Sequence, residues 1–297
     1  MASALAHLLN FIFRRMPVIE DTAKERAQNA SRRPPRPPKG VTVGSEAYGG
    51  IPCETVRKAG NGDTMVLYIH GGGFTTGSAR ERRAVTFYLC DKLGYDCIAC
   101  DYRLAPEHKL PAAQEDCFAA YCAVVARFPR LIVMGESAGG TLALTAVQRA
   151  LREGLPAPLA VAAFSPAAGI GLRFPSHSRN VHTDYMLKRD PSSPELLAKM
   201  CPDGCGEAFY KDPSVSPYYG SLAGFPPLFL AASDIETLYD DAAALQKKAA
   251  EAGVRCTLTV KRGVVHAYPV ITQLRETRET FAEMQHFFRR EGVLCGN

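Results

Sequence analysis

At 297 residues, 46% apolar and 22% charged, the chain has the length and composition of one large globular domain, or of one domain with a small lid. Much of the net charge of +5 can sit in one stretch, "SRRPPRPPKG", where no aromatic residues interleave with Arg32, Arg33, Arg36 and Lys39. A basic tract for nucleic acid or an anionic membrane is the alternative, but without those aromatics it reads as a stiff, solvated proline-rich connector, and no nucleic-acid partner is expected. The ten cysteines form no matched Cys-x-x-Cys pairs, which argues against zinc; scattered through apolar runs, they read as small buried residues of a reducing compartment, although Cys201 and Cys205 flank a turn and could pair.

The chain opens with "MASALAHLLNFIFRRM", an apolar run too short to span a bilayer. Arg14 and Arg15 follow it rather than precede it, against a secretory signal, so an amphipathic helix docked on the protein is expected. No other stretch approaches membrane-span length, and the expectation is a soluble, cytoplasmic protein without stable membrane insertion. From about residue 52, strand-like runs at 64–70, 97–102, 131–135, 159–165, 227–233 and 256–261 alternate with helical patterns at 81–93, 111–127, 138–152, 237–252 and 273–290. Pro111 suits a first helical position and Gly253 a helix stop. Continuous apolar strands alternating with helices predict an α/β fold with a mostly parallel sheet covered on both faces. Residues 168–215 break the rhythm with one short helix near 193–200, where Ser193 suits the N-cap, and read as an insertion.

The central chemical signal is "VMGESAGG", a Gly-x-Ser-x-Gly between a strand and a helix. A sharp strand-to-helix turn exposes the hydroxyl of Ser137, small residues two positions either side let the chain cross, and the helix N-terminus aims the amide of Ala138 at developing negative charge. The three glycines of "HGGGF", Gly71, Gly72 and Gly73, follow a strand and make the backbone itself a donor surface for an oxyanion, with His70 in an orienting role. A nucleophilic serine needs a base and an acid behind it. His266, in the loop after strand 256–261, is the best base; His286 falls in an amphipathic helix, and His177 and His182 precede the acids. Among the carboxylates of "ASDIETLYDD", Asp240 and Asp241 suit the first turn of the helix that follows, and Asp234 and Glu236 stay equal on residue chemistry alone.

These segments, with "DYRLAPEH" (101–108) and "SPYYGSLAGFPPLFLAAS" (216–233), resemble the hormone-sensitive-lipase branch of the α/β-hydrolases from about residue 45 onward. The resemblance implies an α/β-hydrolase fold with a small helical cap: cap segments 1–45 and 168–215, and a catalytic domain of 46–167 and 216–297. It implies Glu236 as the acid, with Asp234 as runner-up because aspartate is commoner there. It also implies Gly72, Gly73 and Ala138 as the oxyanion donors, and structural bonds for Asp101, Arg103 and Glu107. Glu136 stands where many relatives have aspartate; a carboxylate facing the serine would perturb its pH profile, and facing away is expected. "SPAAGIG" (165–171) lacks the Trp and Asp of many relatives. The implied function is a serine carboxylesterase that cleaves short acyl esters, acetate to hexanoate, with Ser137, His266 and Glu236 as triad and no cofactor or metal. The partner is a small-molecule ester, and a homodimer stays open. The alternatives are a non-hydrolytic receptor, like the plant gibberellin receptors that have lost the histidine, or a lipase or amidase.

Overall fold

The computed structural model describes residues 2–294; Cys295 lies outside them. Two helices come first, α1 (Ala4–Arg15) and α2 (Thr22–Ser31), and then a coil carrying the proline-rich tract. The hydrolase body follows: β1 (Val41–Tyr48), β2 (Ile51–Lys58), β3 (Met65–Ile69), α3 (Arg83–Lys92), β4 (Asp96–Cys100), α4 (Ala112–Arg127), β5 (Leu131–Glu136), α5 (Ala138–Arg152) and β6 (Ala160–Phe164). The insertion holds three short helices, α6 (Pro175–Arg179), α7 (Pro194–Met200) and α8 (Glu207–Tyr210). The chain ends with β7 (Leu228–Ser233), α9 (Tyr239–Glu251), β8 (Cys256–Lys261) and α10 (Arg275–Arg290).

The eight strands form one sheet in the order β1-β2-β4-β3-β5-β6-β7-β8. β1 and β2 pair antiparallel with each other and β2 antiparallel with β4; the remaining pairs are parallel. Because strand side chains alternate, each apolar strand feeds two cores. Leu67, Ile69 and Val133 pack with Tyr121, Leu142 and Leu245 from α4, α5 and α9, while Val66, Tyr68, Ile132 and Met134 pack with Val85, Leu89, Phe281 and Phe288 from α3 and α10.

The structure corrects the sequence reading in several places. The β1–β2 hairpin was not expected, and β1 runs across the expected boundary at 45/46. Helix α2 was not expected either; Asp21 caps it by accepting from the amide of Lys24 at 3.0 Å. Pro111 stands at the N-cap of α4 rather than at its first helical position. Ser193 does occupy the N-cap of α7, but its side chain makes no capping bond. Cys201 and Cys205 are free thiols. Helix α1 docks as expected: Ala6, with Leu5, Leu9 and Phe13, packs on Val264, Val265, Tyr268 and Leu274, and Ser3 bonds the Glu276 carboxylate through its amide and hydroxyl at 2.6 and 2.9 Å. Among the described residues no helix is long and apolar enough to cross a membrane.

Candidate active site

Strand order reverses between β4-β3 and β3-β5, so the crevice beyond their carboxyl ends is where an open α/β sheet binds ligands. Ile69 and Gly135 are paired neighbours there, which sets the glycine loop after β3 beside the turn after β5. Ser137 takes φ 54° and ψ −124°, a conformation that costs a non-glycine residue on the order of 1–3 kcal/mol and marks functional turns. Its amide bonds the Phe164 carbonyl at 2.8 Å, and its own carbonyl accepts from Thr141 as α5 begins. The turn tolerates no side chain on its flank: a Cβ on Gly139 would stand 2.1 Å from the Ile69 carbonyl oxygen.

His266 Nε2 lies 2.9 Å from Ser137 Oγ, and Nδ1 lies 2.9 Å from Glu236 Oε2. Glu236 is fully buried, and its second oxygen accepts from the Ser233 amide at 3.1 Å. Burial opposes an imidazolium at His266, but the hydrogen bond and charge of Glu236, with the charges of Asp184 and Glu136, outweigh it and raise the pKa above the ordinary imidazole value. The runner-up acid is elsewhere: Asp234 is exposed and accepts from the Gly263 amide at 2.7 Å, bracing the turn before the histidine loop. His286 and His182 are exposed, and His177 bonds Asp241 at 2.7 Å; none of them is hydrogen-bonded to Ser137.

Gly72, Gly73 and Ala138 line a cavity of about 520 Å³ together with Ser137 and His266. Among the described residues their amides make none of the loop bonds that occupy the amides of Gly71, Thr75 and Thr76. Gly72 has φ +119°, and a Cβ there would meet the Thr76 carbonyl oxygen at 2.2 Å. Glu136 holds this loop from the strand side. Its carboxylate accepts from the Gly71 amide at 2.6 Å, Tyr68 Oη at 2.6 Å and Arg82 Nε at 2.5 Å. Its carboxylate therefore makes no bond to the serine and holds the glycine loop instead. His70 stacks on Tyr102, with ring centroids 4.2 Å apart, and its Nδ1 contacts the Gly71 carbonyl at 2.8 Å. Burial pushes its pKa down to about 3, so it stays neutral.

The "DYRLAPEH" residues are bonded as expected. Asp101 accepts from the Ala79 amide, Arg103 forks onto Asp116, and Glu107 receives Arg26 of α2 at 2.8 and 3.0 Å. Arg26 also donates to the Thr75 and Ala105 carbonyls, tying α2 to the donor loop.

Several supporting residues escaped the sequence reading. Asp240 and Asp241 do not merely face the α9 dipole: Asp241 is fully buried and accepts from the Ala168 amide and pairs with His177, while Asp240 accepts from the Ser176 amide. The insertion thereby clamps the loop that carries Glu236. Asn180 donates to the carbonyls of Asp234 and Glu236, and buried Asp184 accepts from both the amide and the hydroxyl of Thr237. Two further serines at strand ends bracket His266. Ser233 Oγ donates to the Val264 carbonyl at 2.6 Å, and Ser165 Oγ accepts from the Ala267 amide at 3.1 Å. Their one sequence signal is a serine closing each apolar run, "LAVAAFS" and "PLFLAAS".

Known proteins share this fold. The pattern of the α/β hydrolase fold family matches residues 66–270. An acetyl-hydrolase of Streptomyces hygroscopicus is 32% identical over 278 residues, covering 91% of this chain and 90% of its own. A crystal structure of an esterase/lipase from an uncultured bacterium superposes with a TM-score of 0.88 at 28% identity, over 99% of this chain and 100% of the other. An esterase from the bacterial hormone-sensitive lipase family superposes at 0.86 and 28% identity, over 98% and 99%. By sheet order, motif geometry and relatives, the chain belongs to the α/β-hydrolase fold family, in the branch of hormone-sensitive-lipase-like esterases.

Proposed function

We propose that this protein is a serine carboxylesterase acting on short acyl esters, with Ser137 as nucleophile, His266 as base and Glu236 as the orienting acid. The observation that carries the reading is the unbroken run of 2.9 Å contacts from Glu236 through His266 to Ser137, facing a cavity. Ser137 Oγ attacks the ester carbonyl carbon as His266 Nε2 takes its proton. The carbonyl oxygen becomes an oxyanion held by the amides of Gly72, Gly73 and Ala138. His266 returns the proton to the leaving alkoxide as the C–O bond breaks, which frees the alcohol and leaves an acyl-serine. Water, deprotonated by the same imidazole, then releases the acid and restores the hydroxyl.

The name of the Streptomyces relative supports an acetyl-sized acyl group. In this reading residues 1–45 and 168–215 form the cap: Met16, Val18, Glu25 and Arg32 from the first segment and Tyr185, Leu187 and Arg189 from the second line the cavity above the serine. The nine described cysteines are unpaired thiols, which supports a reducing, cytoplasmic setting. The receptor reading has no observation in its favour, since His266 stands in place against both its partners.

Ser137→Ala tests the proposal. It is expected to lower kcat on nitrophenyl acetate by roughly a millionfold, with thermal unfolding retained. Turnover in that variant within tenfold of the parent overturns the assignment. A series of nitrophenyl esters from acetyl to decanoyl is expected to peak at the short end.

A further inference from the structure

Of the six large apolar side chains that stand exposed among the described residues, five lie together near the start of the chain. They are Leu8 (53%), Phe11 (55%), Ile12 (43%), Met16 (38%) and Val18 (39%). Leu8, Phe11, Ile12 and Arg15 fall at helical spacing and share one face of α1. The opposite face is already occupied, since Leu5, Ala6, Leu9 and Phe13 pack on the histidine loop. The outer face is therefore not a stripe waiting for the protein's own core.

Its charge is one-sided. Residues 2–19 contain no Asp or Glu, whereas Arg14 and Arg15 are exposed, and Arg15 lies over the Phe11 ring at 3.5 Å. Lys188 of the insertion reaches the carbonyls of Arg14 and Met16. Past α2, Arg32, Arg33, Arg36 and Lys39 stand exposed on the coil. Met16, Val18 and Arg32 also line the catalytic cavity, so the patch is continuous with its rim.

We propose that this face of α1 docks reversibly on an anionic lipid surface and turns the rim of the cavity toward it. An amphipathic helix with an apolar, aromatic-bearing face and flanking arginines is suited to the headgroup boundary, where the side chains bury and the cations meet lipid charge. A second copy of this chain fits the same face less well. A two-fold contact across it would bring Arg14 and Arg15 of one protomer against those of the other. The proposal goes beyond the esterase reading and does not depend on it, because lipid binding is measured without turnover.

The test is cosedimentation of the full chain with vesicles of phosphatidylcholine containing phosphatidylglycerol, and with vesicles of phosphatidylcholine alone. Binding is expected to the anionic vesicles only, and to fall at least about tenfold between low salt and about 0.5 M salt. The triple variant Leu8→Ser, Phe11→Ser, Ile12→Ser is expected to bind at least about tenfold more weakly while hydrolysing a water-soluble acetyl ester at the parent rate. If that variant does not fold, Arg14→Glu with Arg15→Glu is expected to abolish binding to the anionic vesicles. Absence of binding by the parent chain overturns the proposal, as does equal binding to both vesicle types. A parent dimer that either variant converts to monomer assigns the face to a second copy instead.

Discussion

At the strand ends, Ser137, Glu236 and His266 sit among buried hydrogen bonds. Glu236 is fully enclosed, Glu136 takes three donors, and Ser165 and Ser233 hold the chain on either side of His266. Above them, the segment joining α1 to α2 meets the outer insertion through exposed groups. Glu20 pairs with Arg189 at 3.3 Å and Lys199 at 3.5 Å, and Lys188 caps carbonyls at the end of α1. The insertion itself is divided in the same way: residues 176–184 are joined by buried bonds to the loop that carries Glu236, and residues 185–215 make no hydrogen bond to that loop among the described residues. Buried polar networks are costly to disturb, whereas exposed pairs contribute little. Ser137, His266 and Glu236 thus rest on rigid elements, whereas the outer insertion is held to the start of the chain by contacts that open cheaply.

The largest effect expected from breaking the rigid half, beyond the loss of Ser137 itself, is at Glu236. Glu236→Gln keeps the shape but removes the charge that favours the imidazolium, and should lower kcat by roughly 10³–10⁴. Asp234→Asn, which touches only the Gly263 turn, should leave kcat within a few-fold. Steady-state kinetics on nitrophenyl acetate reads both, and the reverse ranking would make Asp234 the acid.

Asp184→Ala sharpens the boundary inside the insertion. The variant strands the donors of Thr237, Met186 and Leu187, and about 2–4 kcal/mol of unfolding free energy should go with them, read by urea denaturation. The pH profile probes the same rigid half more gently. His266 must be neutral to accept the serine proton, and its pKa is raised, so kcat/KM should fall as pH falls through a value above 6.5. His70 adds no second step there, because burial holds it at about 3. The Glu236→Gln variant should move the acid limb to lower pH. The smallest effect belongs to the exposed latch: Arg189→Ala with Lys199→Ala should cost less than about 1 kcal/mol of stability, while KM for longer acyl esters changes more than kcat.

Much of this architecture was legible in the chain. The parallel strands read as unbroken apolar runs because helices cover both faces, and the serine turn and glycine loop read as motifs because close backbone approach admits few residues. The β1–β2 hairpin escaped because β1 is a largely exposed edge strand with an irregular burial pattern, so its alternation is faint, although Gly49-Gly50 between Tyr48 and Ile51 was an available turn signal.

By itself the sequence determined the alternation of parallel strands and helices from β3 onward and marked the serine turn and the glycine loop as motifs, since each depends on residues within a few positions of one another. Only the tertiary structure set Glu236 rather than Asp234 against His266, turned Glu136 toward the Gly71 amide, and gave Asp241, Asn180 and Asp184 to the clamp between the insertion and the loop that carries Glu236. Those pairings join a side chain to a group tens of positions away. The direction a carboxylate points is set by the donors that packing brings to it, and neighbours in the chain do not record where those donors are.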